Sequence, residues 1–182
     1  TVVSTNSAFD KYVLGDAQAM DASALRGMAL FKGKARCILC HSGPNFTDNQ
    51  FHNLGVGLTN EGELKDMGRF DQTKTETDKG AFRTPTLRNI ALTAPYMHDG
   101  SLATLRDVVR HYSELDVNRL HTTHGYDASG VPVATVAETI LKPLRLTGQE
   151  VDDLVAFLES LSDDGAGARM PQEATASASR CR

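Results

Sequence analysis

The sequence predicts a mostly α domain, and three observations carry that expectation. Two stretches place apolar residues at i, i+3, i+4 and i+7 behind a capping box. A third apolar helical stretch runs straight into the compact run Cys37-Ile38-Leu39-Cys40-His41. No stretch alternates apolar and polar residues as a half-buried strand would.

Taken in order, residues 1–20 show little periodicity and read as an extended entry segment. From Asp21 a helix is expected, with Leu25, Met28, Leu30 and Phe31 as its apolar face and Gly33 as its stop. Gly27 and Phe31 lie one turn apart on it, a pairing that lets another helix come close. Residues 42–80 are rich in Gly, Asn, Asp and Thr, and 59–80 are especially hydrophilic. A loop of that length is either functional or a solvated insertion. Ser101 to Leu115 is expected to be helical, with Thr104 and Asp107 as capping box and Leu105, Val108, Val109, Tyr112 and Leu115 on one face. Thr147 to Leu161 repeats the design with Thr147 and Glu150, then Val151, Leu154, Val155, Leu158 and Leu161. Residues 21–162 form the domain, and 163–182, rich in Gly, Ala and Ser, read as a disordered tail.

Cys37, Cys40 and His41 have the C-x-x-C-H spacing of a covalent haem attachment site. Two thiols at this spacing reach one porphyrin edge and add across its vinyl groups as thioethers. The histidine that follows is then held under the iron as its proximal ligand. A structural zinc site needs four ligands, and the remaining cysteine is Cys181, far away in the tail. A thioredoxin-like pair needs a βαβ surround, which is missing. A plain disulfide would leave His41 without a role. One covalent haem c is expected, on a c-type cytochrome fold with long loops.

The chain's 182 residues suffice for one domain with a real core. A net charge of −4 argues against a nucleic-acid partner, and no apolar run is long enough to span a membrane. The chain starts at Thr1 rather than Met, which reads as a processed or truncated product. Bacteria attach haem to cysteine outside the cytoplasm, so a periplasmic location is expected.

Further residues carry a resemblance. The run Ala81-Phe82-Arg83-Thr84-Pro85-Thr86-Leu87-Arg88-Asn89, then Leu92 through Ser101 with Tyr96-Met97-His98-Asp99-Gly100, resembles bacterial dihaem cytochrome c peroxidases and the related MauG proteins. Ala8-Phe9-Asp10-Lys11-Tyr12, Gly15-Asp16 and Arg26-Gly27 ahead of Phe31 are similar too. The likeness covers about residues 1–162 and only the second half of those proteins. It implies the electron-relay haem, with the peroxide-reactive haem on a missing domain or a separate chain.

The sixth iron ligand has several candidates: Met97, His98, His111 and Tyr112. Where the peroxidases carry a distal methionine, this chain has Tyr112, and in that it is similar to MauG. Tyr112 lies on the inward face of its helix and His111 one residue off it. The alternative is Tyr112 as a core aromatic and Met97 on the iron. His98 is expected to hydrogen-bond near the haem or the domain interface. His52, His121 and His124 fall in loops, with solvent exposure as the default. Arg83 and Arg88 suit haem propionates or ordinary salt bridges. The resemblance also implies calcium between the two domains, on the backbone carbonyls of Thr93 and Pro95, completed by the other domain.

Two functions follow as expectations. One is the relay half of a dihaem peroxidase or MauG-like oxidoreductase acting with hydrogen peroxide. The other is a mono-haem electron carrier. Partners would be a second haem domain or chain, and a redox donor protein or protein substrate.

Overall fold

The computed structural model of this chain describes residues 6–57, 64–114 and 142–163. His121, His124, Leu115, Cys181 and the expected tail beyond Asp163 lie outside the described residues. Five α-helices occur among them: α1 (Ala8–Val13), α2 (Ala22–Lys32), α3 (Phe70–Thr73), α4 (Leu105–Ser113) and α5 (Gly148–Glu159). Three short 3₁₀ turns, Cys37–Leu39, Glu76–Asp78 and Ile90–Leu92, punctuate the loops.

The crossing of α2 on α5 organises the core, and the sequence dictates it at Gly27. A Cβ on Gly27 would lie 1.9 Å from the Asp153 carbonyl oxygen and 2.8 Å from the Phe157 Cβ. Only a residue without a side chain lets the backbones approach so closely. Asp153 seals the crossing. Its carboxylate accepts from Arg26 Nε at 2.8 Å and Nη2 at 2.7 Å, from Ser23 Oγ at 2.6 Å, and from Gln149 at 3.0 Å. Those four donors outweigh burial and hold the Asp153 carboxyl far below its ordinary value, the Arg26 contact contributing most.

Phe9, Phe31, Phe46 and Phe157 form one aromatic cluster with centroids 5.1 to 6.3 Å apart, edge to face except for the tilted Phe31–Phe157 pair. Phe157 and Leu161 are completely buried, each stabilising the fold by about 1.5–3 kcal/mol. Helix α4 packs its Leu105 and Val109 into the same core. The capping boxes read from the sequence are present at Thr104 with Asp107 and Thr147 with Glu150.

Three expectations are corrected. Residues 8–13 are helical rather than extended: Ser7 and Asp10 form a capping box at the start of α1, and α1 docks on α5 through Phe9 N–H to the Ser160 carbonyl at 3.0 Å. Six residues are too few to show a helical period. Helix α4 begins at Leu105, not Ser101, because Tyr96 and Leu102 exchange backbone hydrogen bonds and hold the preceding residues in a turn. The stretch 42–80 is not bare loop. It carries α3, the Glu76–Asp78 turn and the strand β1 (Phe51–His52), which pairs antiparallel with β2 (Phe82–Arg83). Two-residue strands leave no alternation to read.

Candidate haem site

The attachment motif is one tight turn. Arg36 takes a left-handed conformation (φ 56°) that redirects the chain out of α2. The Cys40 and His41 amides then both donate to the Cys37 carbonyl, at 3.3 and 2.9 Å. No disulfide joins Cys37 and Cys40. Burial pushes the Cys37 thiol up to about 12 and raises Cys40 as well.

His41 is set up as an iron ligand. Its Nδ1–H donates to the Phe46 carbonyl at 3.0 Å, which leaves the Nε2 lone pair free. Burial holds the imidazole pKa below its ordinary value, against the opposing pull of the Phe46 carbonyl and Asp48, and keeps the ring neutral. The orienting segment is itself anchored. Arg88 donates from Nε to the Pro44 carbonyl at 2.9 Å and pairs with Asp10 at 2.7 Å. Its guanidinium lies 5.5 Å from the Phe9 ring and 5.3 Å from the Phe46 ring. The ion pair forms because helix α1 brings Asp10 to Arg88. Arg83 is exposed on β2 and donates to Asn49 Oδ1.

Tyr112 projects from α4 toward the cysteine turn. Burial raises its phenol well above the usual value, and the thiols of Cys37 and Cys40 lie close enough to raise it further. His111 is turned elsewhere: its Nε2–H donates to the Leu54 carbonyl at 3.3 Å. Met97 is half-buried in a left-handed turn (φ 68°). His98 is exposed and stacks on Phe82, centroids 3.6 Å apart and planes 8° apart. Thr93 and Pro95 are exposed, and no described residue donates to either carbonyl.

His52 is a correction and the residue that sequence reasoning missed. Far from being solvent-exposed, its side chain is only 10% accessible. Pairing of β1 with β2 turns it inward, since neighbours on a strand face opposite ways, while Phe51 points out beneath Arg69. His52 Nε2–H donates to Asp48 at 2.8 Å. Burial alone would raise the Asp48 carboxyl, yet hydrogen bonds from His52, the Gln50 amide and Thr84 bring it below its ordinary value. Asp48 N–H donates to the Cys40 carbonyl at 2.8 Å, tying this pair to the motif. The ligand atoms of Cys40, Asp48 and His52 all lie within 4.8 Å of one another. The other ring nitrogen, Nδ1, is buried with no partner. Two cysteines and an oriented histidine on one turn, with the Tyr112 phenol near both thiols, fit a haem.

Comparison with known proteins accords with this arrangement. No family model matches the chain. It is 42% identical to the cytochrome-c peroxidase IdrP1 of Denitromonas iodatirespirans, over 89% of this chain and 46% of the relative. It is 37% identical to the methylamine utilization protein MauG of Methylorubrum extorquens, over 94% and 44%. The chain belongs to the dihaem cytochrome c peroxidase and MauG family. It spans about half the length of the curated relatives it matches, and resembles one haem domain of them. Its fold is similar to a MauG-like protein associated with microbial copper homeostasis (TM-score 0.71, 35% identity, 88% of this chain and 49% of that one). It is similar also to the diheme peroxidase BthA of Burkholderia thailandensis (TM-score 0.65, 28% identity, 87% and 46%). Family membership implies haem c as the cofactor.

Proposed function

We propose that this chain is the electron-transfer haem c half of a dihaem peroxidase or MauG-like oxidoreductase acting with hydrogen peroxide. The observation that carries the reading is the His41 Nδ1 contact with the Phe46 carbonyl at 3.0 Å: a carbonyl only accepts, so Nδ1 carries the proton and Nε2 would be the nitrogen that takes the iron. Cys37 and Cys40 supply the thioethers and Tyr112 the sixth ligand. Bound haem supplies a one-electron redox centre; the chain's own work is to hold, orient and bury it. Peroxide reacts at a second haem, on another domain or chain, and a redox donor or protein substrate completes the circuit. Calcium bridges the two halves through the Thr93 and Pro95 carbonyls. The proposed location is the periplasm, which the thiol-linked haem reading supports; among the described residues no helix is long and apolar enough to cross a membrane.

A second reading is a mono-haem electron carrier. One preparation tests both. The chain is made with haem-attachment machinery; one portion is denatured in acid to test whether haem stays bound, and another is assayed folded for peroxide turnover. Haem that stays on the polypeptide, with slow turnover until a second haem domain is added, is the expected result. Haem released by acid would overturn the attachment. Turnover unchanged by any second haem domain would leave the carrier.

A further inference from the structure

Residues 84–88, just after β2, lie along residues 44–47, just after the cysteine turn, and side chains join the two. Pro44 and Pro85 have no N–H to donate, so a regular backbone ladder cannot run through them. The contacts come instead at every second residue of 84–88. The Thr84 carbonyl accepts from Thr47 Oγ1 at 2.8 Å, Thr86 Oγ1 donates to the Asn45 carbonyl at 2.6 Å, and Arg88 Nε donates to the Pro44 carbonyl at 2.9 Å. Three successive loop carbonyls thus each accept from a side chain: Pro44 from Arg88, Asn45 from Thr86, and Phe46 from His41 Nδ1 at 3.0 Å. Phe46 needs that support, because it holds a left-handed conformation (φ 51°) that bulky side chains rarely adopt. Arg88 is fixed in turn by Asp10 at 2.7 Å, with both side chains largely buried.

We infer that Arg88 and Thr86 are positioning residues that set the haem's reduction potential, by holding the Phe46 carbonyl against His41 Nδ1–H. The inference rests on the haem reading above. A hydrogen bond from Nδ1–H to a fixed acceptor gives the imidazole part of the character of its anion, which makes Nε2 a stronger donor. A stronger donor favours ferric over ferrous iron and lowers the potential. When the carbonyl is free to drift, that hydrogen bond lengthens, the donor weakens and the potential rises. Arg88 and Thr86 act through the loop, since their hydrogen bonds go to its carbonyls and to Asp10.

The test uses the haem-loaded chain, so failure of haem attachment, seen as acid release from the parent, is separated at the outset from failure of this brace. Arg88→Lys keeps the charge but puts a methylene where Nε stands, so the Pro44 carbonyl loses its donor. Thr86→Val keeps the shape and loses the hydroxyl bonded to Asn45. Neither variant changes the net charge, so a change in potential cannot come from a lost cation. A redox titration reads the midpoint potential, and NMR reads the solvent exchange of His41 Nδ1–H. The expected result is a higher potential and faster exchange in both variants. Thr147→Ala removes the α5 cap, whose hydrogen bonds go to Glu150; it should lower stability and leave both readings at the parent values. Parent potential and parent exchange in folded, haem-loaded Arg88→Lys and Thr86→Val would overturn the inference. So would equal shifts in Thr147→Ala, which would reduce the effect to general loosening. Should Arg88→Lys fail to load haem, Thr86→Val, at an exposed position, decides by the same two readings.

Discussion

At the scale of single residues, Tyr112 is the proposed sixth ligand, and a phenolate there would set the chemistry of the iron. Without a cation beside it the phenol is pushed up by burial and by two thiols, so it is neutral and a poor donor. A bound ferric ion reverses that balance, since a cation favours the phenolate. Tyr112→Phe keeps the packing and removes the donor oxygen, so the ferric haem should change spin state. Met97→Leu, a swap of similar volume, should leave the spectrum nearly as it was. The opposite pair of outcomes would give the sixth position to Met97 and make the domain a high-potential relay. His41 depends on neighbours in turn. Asp10 holds Arg88, Arg88 holds the Pro44 carbonyl and the Phe46 ring, and Phe46 orients the imidazole.

At the scale of elements, the α2–α5 crossing carries two predictions. In Gly27→Ala the new methyl meets backbone, not a flexible side chain, so the helices must separate. A loss of about 3 kcal/mol, the upper part of the range for overpacked cores, is expected in chemical denaturation. Asp153 makes the crossing sensitive to acid. Its folded pKa is depressed, so its contribution is fully present above the unfolded value of about 3.9. That contribution is lost as pH falls through the lower folded value. Urea titrations between pH 7 and pH 2 should show a steep acid limb in the parent and a shallower one in Asp153→Asn. Equal slopes would show that Arg26, half exposed, screens the pair too well for it to matter.

At the scale of the whole molecule, the chain spans about half of its relatives, and its proposed calcium site is shared. Thr93 and Pro95 offer two carbonyl oxygens, against the six to eight ligands that calcium takes. Calorimetry should therefore show weak or no calcium binding to this chain alone, and clear binding once the second haem domain is present. Tight binding to the isolated chain would place the full ligand set here instead.

The sequence by itself determined whatever depends on spacing within one element. The three helices with an apolar period, the two capping boxes at Thr104 and Thr147, the C-x-x-C-H turn and the small residue at the crossing are all local. They follow from 3.6 residues per turn, from cap chemistry and from the reach of two thiols. Tertiary structure alone decided the rest. Helix α1 is too short to show a period; its Ser7–Asp10 capping box is local, and it is Phe9 that docks it on the end of α5. Arg88 became a brace because Asp10, 78 positions away, arrives beside it. His52 became a buried residue because a two-residue ladder with β2 turns it inward onto Asp48. Each of these depends on a partner distant in sequence or on a ladder too short to leave a pattern. A hydrogen bond or ion pair between such partners has no period, and only the folded chain brings them together.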